Sequence, residues 1–117
     1  MTDPLDTADV SLQCQDGEVT IGCCGCVDLT NCQEFGQKLT KAAETEDEVT
    51  ADLRRAEFVD SAVLAIISGA GKLMRQRGKR LKVRVCDGTH PHRVLQILNL
   101  AVLVDVIVER NQDDAAD

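Results

Sequence analysis

The chain has no tryptophan and no tyrosine, and only two phenylalanines among its 117 residues. A protein so poor in rings lacks the stacking platform on which single-stranded nucleic acid is held, so direct nucleic-acid binding is not expected. Hydrophobic residues nevertheless make up 44% of the sequence. The core must be aliphatic, and at this length it can be large enough to fold without disulfides or a metal. No apolar run approaches the roughly 20 residues that a membrane-spanning helix needs, which argues against membrane insertion. The first residues, Met1-Thr2-Asp3-Pro4-Leu5-Asp6, lack the basic start and apolar middle of a secretion signal. These features predict a cytoplasmic protein.

Two further absences bear on chemistry. The six cysteines include Cys23, Cys24, Cys26 and Cys32 close together, with Cys14 and Cys86 apart, but no two C-x-x-C pairs of the kind that hold structural zinc. In a reducing compartment they are predicted to be free thiols that pack as small apolar residues. There is no phosphate-cradling loop either, since Gly69-Ala70-Gly71-Lys72 falls inside a helical pattern with the wrong spacing. His90 and His92 flank Pro91 where a short helix begins, and are read as exposed capping-region residues rather than a metal or catalytic pair. No nucleophile has an evident base, so no enzymatic activity, cofactor or metal is predicted.

Charge is present but unevenly spread. Residues 1–60 hold 14 acidic and 4 basic side chains, and residues 61–93 hold 8 basic side chains against Asp87 alone. Residues 94–117 return to acid, leaving a net −7. The basic stripe from Lys72 to Arg84 reads as a solvated helix and strand face, with binding of phosphate or of an acidic partner surface as the alternative.

Periodicity orders the rest. Val10, Leu12 and Cys14 alternate, Asp16-Gly17 supplies a tight turn, and Val19, Ile21 and Cys23 alternate again, predicting a hairpin that stops at Gly25. Thr30 with Gln33 has the spacing of a capping box, ahead of a helix over 31–44 with Cys32, Phe35 and Leu39 inward. Glu44 to Glu48 reads as a solvated connection. A strand over 49–53 follows, then a helix after Ser61 with Val63, Ile66, Ile67, Ala70, Leu73 and Met74 on one side. Gly69 and Gly71 weaken that helix and suit close packing, and Gly78 stands at its end. A strand over 81–85, a short helix that Thr89 can cap and a β-branched strand over 102–108 complete the order ββαβαβαβ. The fold class is therefore α/β, with helices packed on a mostly parallel mixed sheet. An acidic, flexible leader (1–9) and an acidic tail (111–117) flank a domain over 10–110.

The chemistry-bearing stretch is the junction Glu57-Phe58-Val59-Asp60-Ser61-Ala62-Val63-Leu64. Either Asp60 or Ser61 can cap the helix, accepting from the N–H groups that open it without partners. An exposed Ser61 at that point is also a favourable place for a phosphate.

Gly25-Cys26-Val27-Asp28 before one helix and Phe58-Val59-Asp60-Ser61 before the next, in this order of elements, resemble the STAS domain of bacterial anti-sigma factor antagonists. The likeness spans residues 10–110. It implies that Ser61 is a phosphoacceptor, with Asp60 beside it and Asp28 a nearby contact, on a surface that meets an anti-sigma factor acting as a serine kinase of the ATP-binding type. The sequence departs from the family's Asp-Ser-Ser-Gly-Leu by having Ala62-Val63 after Ser61, and has Cys26 where an acidic residue is common. The alternative that the same family implies is a non-enzymatic STAS subunit of a lipid-transport ATPase or of a signalling scaffold.

Overall fold

Alternation along the strands decides which side of the sheet is buried. In a computed structural model that describes residues 9–110, Asp16 excepted, five strands form one sheet: β1 (Asp9–Gln15), β2 (Glu18–Val27), β3 (Glu48–Val59), β4 (Lys82–Cys86) and β5 (Asp105–Glu109). They lie side by side in chain order, β1 antiparallel to β2 and every later pair parallel. The predicted acidic tail, and all but the end of the predicted leader, fall outside the described residues.

Val19 and Ile21 on β2, Val49, Ala51 and Leu53 on β3, and Val83 and Val85 on β4 are all buried. Two helices cover that face, α1 (Gln33–Thr45) and α2 (Ser61–Gln76), which pack on each other through inward residues such as Phe35, Leu39, Val63, Ile67 and Met74. A third helix, α3 (His90–Ile97), packs against β3 and β4. The core is aliphatic apart from Phe35, as the missing aromatics require.

The alternate residues form a polar face stitched by charge. Arg54 of β3 holds Asp52 through Nη2 at 2.8 Å and reaches Glu109 of β5 through Nη1 at 2.8 Å, and Arg84 of β4 also donates to Glu109. Burial alone would raise the Asp52 carboxyl, but its hydrogen bonds and charge contact with Arg54 bring it below the usual range. The Arg84 and Arg54 hydrogen bonds likewise lower Glu109.

Several expected boundaries move. β2 passes Gly25 to Val27 through two register shifts against β3, with Gly25 at φ +80°. β3 runs past the expected 49–53 and stays paired to β2 as far as Val59; the register shifts break the strict alternation that would have marked its extent. α1 starts at Gln33 with Cys32 as its cap residue and no capping side chain; the Thr30 hydroxyl donates to Asp28 instead, so the capping box is not made. Glu44 and Thr45 belong to α1 and Glu48 to β3, which leaves a two-residue link. The last strand starts at Asp105, since Leu100–Val102 form a 3-10 turn after Asn99, whose φ of 54° is left-handed. Thr89 precedes α3, but its hydroxyl donates to the Cys86 carbonyl rather than accepting from the helix. The cysteines divide: Cys23 and Cys32 are buried, Cys14 and Cys26 exposed, and Cys24 and Cys86 intermediate, so only part of the set packs as apolar residues. Burial first, then Cys24 and Asp52, push the Cys23 thiol up to about 12.

The two α2 glycines have different roles. A Cβ on Gly71 would lie 2.8 Å from Cγ1 of Val104 and 3.3 Å from the Leu103 carbonyl, whereas one on Gly69 meets nothing within 4 Å. Gly71→Ala is therefore expected to destabilise the fold by about 1–3 kcal/mol through overpacking against a stiff valine. Gly69→Ala should stabilise it by about 0.5–1 kcal/mol through helix propensity. Urea unfolding of both variants checks this, and equal effects would contradict it.

Candidate functional site

Two loops at one end of the sheet are held together by a single carboxylate. Asp60 follows β3 in an extended conformation and is the cap residue of α2. Its Oδ1 accepts from the N–H groups of Ala62 at 3.0 Å and Val63 at 3.3 Å, and its Oδ2 accepts from the Leu29 N–H at 3.0 Å. Its own N–H donates to the Val27 carbonyl at 3.3 Å. Of the two candidates for the cap, Asp60 does the capping, and Ser61 is the first residue of α2 and exposed. The Ser61 hydroxyl makes no hydrogen bond among the described residues.

Asp28 organises the other loop locally. Its Oδ1 accepts from the Thr30 N–H at 2.9 Å and the Thr30 hydroxyl at 2.5 Å, while its N–H donates to Oδ1 of Asn31 at 2.8 Å. Asn31 also donates from Nδ2 to the Cys26 carbonyl at 2.9 Å. The Thr30 hydroxyl, then its N–H, hold the Asp28 carboxyl below the usual range. Beneath both loops Cys32 is buried, and burial, followed by the charges of Asp60 and Asp28, raises its thiol. Asp28, Asp60 and Ser61 thus occupy the same end of the molecule, bridged through Leu29.

Leu29 and Phe58 have no role of their own at this surface on sequence reasoning alone. Leu29 is 75% exposed and Phe58 43% exposed. Phe58 stacks on His90 with centroids 4.5 Å apart and planes 18° from parallel, and Nδ1 of His90 accepts from the Val59 N–H at 3.3 Å. His92 is buried and its Nδ1 accepts from the Gly88 N–H at 3.1 Å. The histidines therefore serve backbone groups instead of standing exposed at the helix start: His90 because β3 outruns its pairing with β4 and α3 meets it there, His92 through the turn just before α3. Thr30 could have been found from the Asp-x-Thr spacing of an Asx turn. Among the described residues no three His, Cys, Asp or Glu side chains come together to hold a metal, and no helix is long and apolar enough to cross a membrane.

The family model described as "Mlab, STAS domain" matches residues 10–107. The chain belongs to the STAS domain family. Solved structures agree on the fold. An anti-sigma factor antagonist from Mycobacterium paratuberculosis superposes with a TM-score of 0.78 at 18% identity, over 99% of this chain and 96% of that one. A STAS domain protein from Planctomyces limnophilus, described as an anti-sigma-factor antagonist, gives 0.69 at 15% identity over 93% and 97%. The Bacillus cell fate determinant SpoIIAA, in its phosphorylated form, gives 0.66 at 15% identity over 92% and 97%. No curated protein matches the sequence.

Three variants probe this STAS surface. Asp60→Ala should cost about 1–2 kcal/mol of stability, as loss of a cap does. Asp60→Asn should keep the cap through its one carbonyl oxygen but leave the Leu29 amide without its acceptor, visible as faster amide exchange at Leu29 than in the wild type. Asp28 should titrate below an ordinary aspartate when followed by NMR, and Thr30→Val should move its midpoint up. The sign follows from the lowered folded value: this contribution to stability is present above the unfolded pKa and is lost as pH falls through the folded one.

Proposed function

We propose that this STAS domain is a regulatory, non-enzymatic protein-binding module of the anti-sigma factor antagonist kind. It captures an anti-sigma factor that is itself a serine kinase of the ATP-binding type, and phosphorylation of Ser61 releases that partner. The observation that carries this reading is the exposed Ser61 hydroxyl at the first residue of α2, next to a carboxylate already bound to the helix's free N–H groups.

That arrangement sets the sign of the switch. A phosphoserine adds about −1.5 to −2 charge at neutral pH. Asp60 already occupies the Ala62 and Val63 N–H groups, so the phosphate oxygens face outward with incomplete pairing, toward whatever surface is docked there. The fold keeps its cap and the partner meets concentrated negative charge. Asp28 adds a second carboxylate at the same end, and Leu29 and Phe58 supply apolar area on either side.

A second reading, a STAS subunit of a lipid-transport ATPase or a signalling scaffold, is favoured by a different observation. Ile97 at the end of α3, and Leu98 and Val102 between α3 and β5, are large apolar residues left exposed, as a permanent subunit contact would require.

Ser61→Asp and wild type, used in parallel as baits with the captured proteins identified by mass spectrometry, separate the two. The switch reading expects a serine kinase on the wild type, at least tenfold less on Ser61→Asp, and transfer of one phosphate from ATP to Ser61 by that kinase. The thermal midpoint of the variant should stay near that of the wild type. Capture of the same transporter or scaffold by both baits would instead make Ser61 a helix residue without a regulatory role, and unfolding of Ser61→Asp would overturn the electrostatic account.

A further inference from the structure

Away from the Ser61 surface, β1 and α1 enclose a groove of about 330 Å³. Leu12 and Cys14 of β1 stand opposite Ile21 and Val19 of β2, so they share the sheet face that carries the core. The helix layer does not reach them: α1 packs on β2, β3 and α2. Leu12 therefore stays 52% exposed on the face where its neighbours are buried. Val19 and Ala42 continue the apolar lining, and Ala42 is small enough to leave the space open.

The charges at this groove run against those around it. Only four basic residues occur in the acidic first 60, and two of them, Lys38 and Lys41, line it. Lys38 pairs with Glu34 one turn away at 3.3 Å, a well-exposed contact of small worth. Lys41 makes no ion pair among the described residues. Glu46 lines the groove beyond the lysines and disfavours an anion at that end.

We propose that this groove binds a free single-chain fatty acid, with its acyl chain against Leu12, Val19 and Ala42 and its carboxylate between Lys38 and Lys41. The volume is at the low end for ligand clefts, which suits one chain and excludes a two-chain lipid. Lysine stems lie along apolar surface while their ammonium groups stay in water, so the two side chains can flank the chain and meet the headgroup together. This site is independent of the reading of Ser61.

The test is a titration of the isotope-labelled full chain with sodium dodecanoate below its micelle concentration, followed by amide NMR shifts. The expected result is a saturable shift confined to β1 and α1. Sodium acetate should fail to reproduce it, and dodecyltrimethylammonium should bind at least tenfold more weakly. Lys38→Glu combined with Lys41→Glu, and separately Leu12→Asp, should each weaken dodecanoate at least tenfold. Unchanged shifts elsewhere would show that these exposed positions leave the fold intact. Absence of a saturable shift, equal binding of the cationic amphiphile, or indifference to the lysine substitutions would overturn the proposal. So would groove shifts that follow protein concentration alone, which would mean that a second copy covers the face.

Discussion

The Asp60 carboxylate fixes the geometry on which the Ser61 surface depends. One oxygen closes the first turn of α2 and the other reaches the backbone of the β2–α1 loop, thirty-one residues away in sequence. Each hydrogen bond to a charged acceptor contributes more than a neutral one, and less where water competes, as at the exposed Leu29 bond. The larger consequence is positional, because the two loops cannot move independently while that side chain spans them. Cys32 lies buried below with its thiol kept protonated by burial and by both carboxylates, so it adds no competing charge.

The sheet's polar face meets the opposite demand. A parallel sheet is usually covered on both sides. Here the face away from α1 and α2 carries Asp52, Arg54, Arg84 and Glu109 in a ladder crossing three strands. Much of the basic stripe is occupied in the same way: Arg77 and Lys79 meet Asp47, Arg80 meets Asp105 at 2.6 Å, and Nη1 of Arg77 also donates to the Ala43 and Glu46 carbonyls at 2.8 Å each. Such exposed pairs stabilise little individually, but they engage cations that the sequence leaves looking free. Arg77, Lys79, Arg80 and Arg84 are thus paired, whereas Lys72, Arg75 and Lys82 make no ion pair among the described residues.

Where local pattern and tertiary need agree, the sequence is readable. The hairpin, the inward face of α1 and the apolar side of α2 all follow from periods of two or 3.6, and the hairpin register pairs Leu12 with Ile21 as alternation requires. Asp28, Asp60 and Ser61 were legible as a set only through the resemblance to STAS domains, since they lie on loops whose approach no local spacing encodes. The extent of β3 was hidden because register shifts against β2 interrupt its alternation. The Thr30–Gln33 pattern misled because a nearer acceptor, Asp28, takes the hydroxyl. His90 looked like an exposed residue because its acceptor role depends on where α3 meets β3, thirty-one residues away, whereas His92 is buried and accepts locally from Gly88.

The departures from the family's Asp-Ser-Ser-Gly-Leu stretch fall on the inner side of the same junction. Val63, in the place of glycine, is fully buried, and Ala62 packs partly against the core. Both add apolar contact beneath α2 while leaving Ser61 exposed and Asp60 in its bridging position. On the outer side, Cys26 is exposed where an acidic residue is common, which removes one negative charge from the surface that Asp28 and Asp60 share. Leu29 and Phe58 then make that surface more apolar than its carboxylates suggest.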